Sequence, residues 1–160
     1  DCCAGPAMAI LNHTAALAYQ QIGLKSAYIS IEAGKKQIEQ LCSCSALPLT
    51  IYVYGFPALM YTRAAGKCFA AETTLEDERG IKLRPCARES GLTILRSAEP
   101  VNLLDIKNPR IKVKSLAVDT VGISNRENLL QTVKALQHKR IPPMPPGVRF
   151  NRFNYYRSLM

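Results

Sequence analysis

The sequence has no run of apolar residues that approaches the roughly 20 needed for a membrane-spanning helix. Its first residues also lack the basic and apolar regions of a secretory signal peptide. We therefore expect a cytoplasmic protein with no membrane partner. In that compartment its six cysteines should be reduced thiols rather than disulfides.

Motifs of several enzyme classes are missing as well. There is no Gly-x-Ser-x-Gly of serine hydrolases, no His-Glu-x-x-His of zinc peptidases and no glycine-rich loop for phosphate. Only two histidines are present, and one residue separates Cys42 from Cys44, where most zinc or redox pairs have two. These absences argue against a structural zinc site and against serine or cysteine protease chemistry.

Acidic residues are scarce relative to basic ones, with 12 Asp and Glu against 21 Lys and Arg. The formal net charge of +9 favours binding to polyanions. The basic residues are densest at 107–114 and 149–157, and the second stretch interleaves Arg with Phe and Tyr, a combination that can stack on bases and neutralise phosphates. Nucleic acid is therefore one predicted partner. The alternative is an arm that packs its rings on the domain and exposes its arginines.

The chain is long enough for one domain with its own core. Short apolar runs predict strands, and patterns of helical period predict helices that alternate with them. The strands are expected at 7–11, 27–31, 49–54 and 115–119, and the helices at 15–22, 35–42 and 125–139. Strands separated by helices favour parallel pairing.

The middle of the chain breaks this alternation. A charged turn that ends at Gly80 is flanked by short apolar runs, which predicts a small antiparallel β insert at about 69–97, followed by a short helix at 100–106. The predicted fold is α/β, a partial (β/α) barrel-like parallel sheet with this insert, over residues 1–140. Residues 141–160 should form a Pro-rich linker and a basic aromatic arm. A closed barrel needs about 250 residues, so the chain is expected to be an open sheet or part of a barrel.

Several segments occur in a distinctive order along the chain. They are Leu11-Asn12-His13-Thr14, Gly23-Leu24-Lys25, Ile29-Ser30-Ile31-Glu32, Val53-Tyr54-Gly55, the segment 57–63 and the charged turn 75–80. In this order they resemble the later part of peptidase family U32, the collagenase-like proteases, over roughly residues 7–135. The resemblance implies an N-terminal barrel segment that this chain does not contain. Alternatively, self-association could cover the exposed sheet edges.

The resemblance also implies activities. Members of the family are described as peptidases, which predicts peptide hydrolysis on a peptide or protein substrate. Other members resemble iron–sulfur proteins that assist hydroxylation of RNA bases or of a quinone precursor, which is the first alternative; a scaffold with no catalytic site is the second. Cluster-bearing members have cysteines after the segment matching Arg63, so Cys68 and Cys86 are the candidate metal ligands here. A four-cysteine cluster would need Cys2, Cys3 or another segment in addition.

Side chains at the carboxyl ends of parallel strands usually carry the chemistry of such folds. The candidates at those positions are Asn12, Glu32, Tyr54, Arg63 and Asp119. Glu32 is the first candidate for an acid, a base or a ligand of a divalent metal, since it should be partly desolvated at the end of an apolar strand. A salt bridge or a helix cap is the alternative role for Glu32. Arg63 could clamp a carboxylate or phosphate, or pair with Glu32.

The start of the first helix has its own candidates. His13 could exchange protons near neutral pH. The alternative is that Asn12 or Thr14 caps the helix and His13 has no chemical role.

Overall fold

The computed structural model describes residues 2–8, 10–64, 73–78, 80–87, 91–104, 111–121, 123, 125–138 and 155. These residues form two compact units. The first contains the described residues up to Tyr54, together with those of 102–118 and Tyr155. The second contains the described residues of 55–101 and 119–138.

The described elements follow one another along the chain in a mixed α/β order. They are β1 (Cys3–Ala4), a 3-10 helix (Pro6–Met8), α1 (His13–Gln21), β2 (Ser26–Tyr28), α2 (Lys35–Cys44), β3 (Leu49–Gly55), β4 (Ala58–Thr62), β5 (Leu75–Glu76), β6 (Lys82–Ala87), β7 (Thr93–Ser97), β8 (Val101–Asn102), β9 (Ser115–Val118) and α3 (Arg126–Gln137). None of the helices in the described part of the chain has the length and apolar character needed to cross a membrane.

A five-stranded sheet is built around β3. Strand β2 pairs with β3 in parallel, β9 pairs in parallel with the other edge of β3, and β1 pairs in parallel with β2. Strand β8 is a further neighbour of β3. All seven residues of β3 are buried, which explains its nearly unbroken apolar and aromatic sequence, typical of a parallel strand covered on both faces.

Helix α1 has sequence signals at both of its ends, and helix α2 has a buried apolar face. The side-chain oxygen of Asn12 accepts a hydrogen bond from the Ala15 amide at 2.8 Å and so caps α1, and Gly23 follows the helix with φ of 95°. From α2, Ile38 and Leu41 are buried in the core, as their spacing predicts. Burial of each such side chain contributes about 1.5–3 kcal/mol.

The second unit contains a separate antiparallel sheet in the order β4-β7-β6-β5. Gly80 has a φ of 77° in the turn between β5 and β6, a conformation that glycine adopts without strain. In the same turn the Asp77 carboxylate accepts a hydrogen bond from the Ile81 amide at 2.7 Å. Asn125 caps α3 by accepting from the Glu127 amide.

The predicted α/β class is confirmed, with a parallel and a separate antiparallel sheet. The antiparallel sheet begins at Ala58, earlier than the expected boundary near residue 69. Closure of the parallel sheet into a partial barrel stays a prediction. The Pro-rich linker, and the C-terminal arm apart from Tyr155, lie outside the described residues.

Two element assignments from the sequence were wrong. In the expected first strand, 7–11, residues 7 and 8 belong to the 3-10 helix, and among the described residues of this segment only Ile10 forms a β-bridge, to Ile29. The expected helix at 100–106 begins instead with β8. The Leu103 amide donates to the Val53 carbonyl at 2.8 Å, so pairing with the central strand outweighs the local helical pattern.

Candidate functional site

The parallel sheet gives three of the candidate residues a common edge. Ile10 bridges Ile29 in parallel, and β2 and β3 are paired in parallel, so the chain leaves all three segments in the same direction. Asn12 lies two residues beyond Ile10, Glu32 lies three beyond Ile29, and Tyr54 is the penultimate residue of β3. All three therefore belong to the carboxyl edge of the sheet.

Asn12 has a structural task at this edge. Its side-chain oxygen caps α1, which is the alternative role that the sequence left open. His13 is the first residue of α1 and is exposed. The cap uses the oxygen of the Asn12 side chain, and the NH₂ group of the same amide is a hydrogen-bond donor.

Glu32 lies in a tight turn that follows β2. The Ala33 amide donates to the Ser30 carbonyl at 3.1 Å, and the Glu32 amide donates to the Ser30 hydroxyl at 3.2 Å. In this turn Glu32 is exposed rather than partly desolvated as expected. Its carboxylate is accessible to a ligand from solvent.

Tyr54 has the opposite environment. The residue is 2% exposed, and this burial raises the pKa of its phenol. The hydroxyl is therefore held in its protonated form, which can donate a hydrogen bond, over a wide pH range. Its burial suits a role in positioning neighbouring groups better than direct contact with a substrate.

The sequence predicted that Arg63 follows a parallel strand, but it does not. It is exposed and comes directly after β4, because the segment 58–62 joins the antiparallel sheet. Arg63 belongs to the second unit, whereas Glu32 belongs to the first.

Of the two candidate metal ligands, Cys86 is among the described residues. Cys86 is half-buried in β6, and Cys68 lies outside the described residues. Within the described ranges no group of three or more His, Cys, Asp or Glu side chains is placed to hold a metal ion. Ligation of a divalent metal or an iron–sulfur cluster by Cys68 and Cys86 stays a prediction.

Asp119 follows β9 and forms a salt bridge with Arg96, a partner that its local sequence does not indicate. Its Oδ2 atom accepts a hydrogen bond from Nη1 of Arg96 at 3.0 Å, and its Oδ1 atom accepts from the Val121 amide at 2.8 Å. Nη1 of Arg96 also donates to the Phe56 carbonyl at 2.6 Å. Asp119 thus stabilises a buried arginine, which competes with the catalytic role predicted for it.

A second arginine lies directly opposite Arg96. Arg84 of β6 is the cross-strand partner of Arg96 of β7. The guanidinium of Arg84 lies 5.5 Å from the centroid of the Phe56 ring. The sequence held a signal for both residues, since each arginine stands inside a short apolar strand. Charged groups in such positions need a partner, because burial of an unpaired charge is costly.

Comparison with known proteins found no relative of this chain. The chain matches no family model, and no curated protein or solved structure shows significant similarity to it. The resemblance to peptidase family U32, and every activity it implies, therefore stays a prediction.

Proposed function

We propose that the chain is a U32-like peptide-processing domain in which Glu32 acts as the acid–base group in peptide hydrolysis. The observation that carries this proposal is the parallel pairing that gives Asn12, Glu32 and Tyr54 a common edge. A general base must come within hydrogen-bonding distance of the proton it removes, and an exposed carboxylate at a sheet edge meets that requirement for a substrate arriving from solvent.

The chemistry would use water as the nucleophile. Glu32 would accept a proton as the water oxygen forms a bond to the peptide carbonyl carbon, and would return a proton to the nitrogen as the carbon–nitrogen bond breaks. The NH₂ group of Asn12 could donate a hydrogen bond to the carbonyl oxygen, where negative charge develops. Tyr54 would hold the edge in place as a neutral phenol.

The proposal is tested by cleavage assays on the full chain with fluorescently labelled gelatin and a library of internally quenched peptides. Replacing Glu32 by Gln should lower turnover by about 100-fold or more, which is the contribution typical of general acid–base catalysis. The matched control is Glu76→Gln, which removes an exposed carboxylate from β5 of the antiparallel sheet and should leave turnover unchanged.

Two outcomes would contradict the proposal. Full activity of Glu32→Gln would reject Glu32 as the acid–base group. An unmodified chain that cleaves none of the substrates would reject hydrolysis and favour the scaffold or the iron–sulfur alternative, which iron and sulfide analysis after anaerobic purification distinguishes.

A further inference from the structure

Two arginines share one face of the antiparallel sheet. Arg84 and Arg96 are directly paired in the register of β6 and β7. Side chains at such positions project from the same face, with their Cβ atoms about 4.5–5.5 Å apart, and like charges there repel each other. Neither side chain is fully exposed, as arginines usually are: Arg96 is buried and Arg84 is half-buried.

The positive charge of this pair exceeds the negative charge that the described residues place beside it. Asp119 forms an ion pair with Arg96, in which the two side chains are 20% and 10% exposed. For Arg84 the contact is the face of the Phe56 ring. The Nε atom of Arg84 is buried and has no hydrogen-bond partner among the described residues. Two guanidinium groups and one carboxylate leave a net charge of +1.

A buried N–H group without an acceptor is unfavourable, and more so when the group is charged. Phe56 organises both arginines, since its carbonyl accepts from Arg96 and its ring lies under Arg84. Contact with the ring face restrains the guanidinium of Arg84, whose planar fork of N–H donors suits a planar acceptor with two oxygens. The arrangement therefore has the donors and the charge of an anion site.

We propose that Arg84, together with Arg96, binds a carboxylate group carried by a peptide, either at its C-terminus or on an acidic side chain. A singly charged carboxylate neutralises the remaining charge. A doubly charged phosphate would bring excess negative charge beside Asp119. The arginine pair belongs to the second unit, whereas Glu32 belongs to the first, and the proposal stands whether or not Glu32 supports hydrolysis.

The direct test follows the Nε–H resonance of Arg84 by NMR in the full chain. Three peptides are titrated: N-acetyl-trialanine with a free carboxylate, the same peptide as its C-terminal amide, and an amidated peptide with a central glutamate. The resonance, assigned by its loss in Arg84→Lys, should shift with the first or the third peptide and stay in place with the second. Whichever carboxylate peptide binds more tightly identifies the source of the group.

Substitutions then link binding to the arginine pair. Arg84→Gln should weaken binding of the carboxylate peptide by about tenfold or more, as expected for a lost charge-assisted hydrogen bond. Arg84→Lys keeps the charge, removes the planar fork and should also weaken binding, which covers the case in which Arg84→Gln does not fold. The matched control Arg126→Gln removes an exposed arginine at the start of α3 and should bind as the unmodified chain does.

Three results would overturn the proposal. The first is no shift of the Arg84 resonance with any peptide. The second is equal binding of the free and the amidated trialanine. The third is tighter binding of inorganic phosphate or of a short RNA oligonucleotide than of either carboxylate peptide, which would assign the arginines to a phosphate ligand.

Discussion

The hydroxyl oxygens of Thr50 and Ser115 lie 2.7 Å apart, although 65 residues separate them in the sequence. They are directly paired residues of β3 and β9. Thr50 is also paired with Tyr28 of β2, so it lies in the middle of three parallel strands. This hydrogen bond links β9, which reaches the sheet late in the chain, to the strand at its centre.

A double-mutant cycle should detect this link. Ser115→Ala removes one partner and should lower the free energy of unfolding by about 1 kcal/mol, because Thr50 is buried and loses its acceptor or donor. In the background of Thr50→Val the same change should cost less, with a coupling energy of about 0.5–1.5 kcal/mol in urea unfolding. Ser43→Ala, an exposed position on α2, is the control and should show no coupling to Thr50. Additive effects of the two substitutions would show that the pair contributes nothing.

The elements predicted well from the sequence are those with strong local signals. The continuous apolar run of β3, the helical spacing of Ile38 and Leu41, and the glycine of the turn at Gly80 each depend on neighbours close in the chain. Such patterns are visible without knowledge of the tertiary structure. The parallel sheet followed from the alternation of these elements.

The errors arose where distant residues decide the conformation. Strand β8 forms because residues 101–102 pair with β3, and a local helical pattern gives no sign of that partner. Asp119 was correctly placed after a parallel strand, but its partner Arg96 comes from β7, 23 residues earlier. A sequence shows that a charge stands in an apolar strand, but not which carboxylate will neutralise it.

The ion pair between Arg96 and Asp119 should contribute strongly to stability. We expect Asp119→Asn to lower the free energy of unfolding by about 2–3 kcal/mol, because it leaves a buried guanidinium without its counter-charge. The amide oxygen of asparagine can still accept from the Val121 amide, so the turn after β9 should persist. Chemical denaturation at neutral pH measures the effect.

The control for this substitution is Asp77→Asn. Asp77 also caps a turn through its carboxylate, but it is exposed, so the same chemical change should cost less than about 0.5 kcal/mol. Equal losses in the two variants would show that the charge on Asp119 has no special role. A catalytic role for Asp119 would instead require loss of turnover under conditions where Asp119→Asn remains folded.

The raised pKa of Tyr54 predicts how the free energy of unfolding changes at alkaline pH. Burial raises the pKa of its phenol above the ordinary value of about 10 for tyrosine, so the folded state binds this proton more tightly than the unfolded chain does. The resulting stabilisation is fully present below pH about 10. It is lost as the pH rises through the higher pKa of the folded state, because the unfolded chain releases its proton first.

Tyr54→Phe has no proton to lose at this position. Its stability should therefore fall less than that of the unmodified chain between about pH 8 and pH 11, a range that includes the ordinary tyrosine pKa of about 10. Urea unfolding at a series of pH values measures both slopes. Cys42 also has a pKa raised by burial, but its contribution is common to both proteins and cancels in the comparison. Tyr61→Phe is the control for loss of a tyrosine hydroxyl, since Tyr61 is 56% exposed, and Tyr54→Phe should change the slope more than this control does. If Tyr54→Phe and the unmodified chain lose stability in parallel, the Tyr54 phenol is not held neutral by the fold, and its proposed role as a neutral group at the carboxyl edge of the sheet must be abandoned.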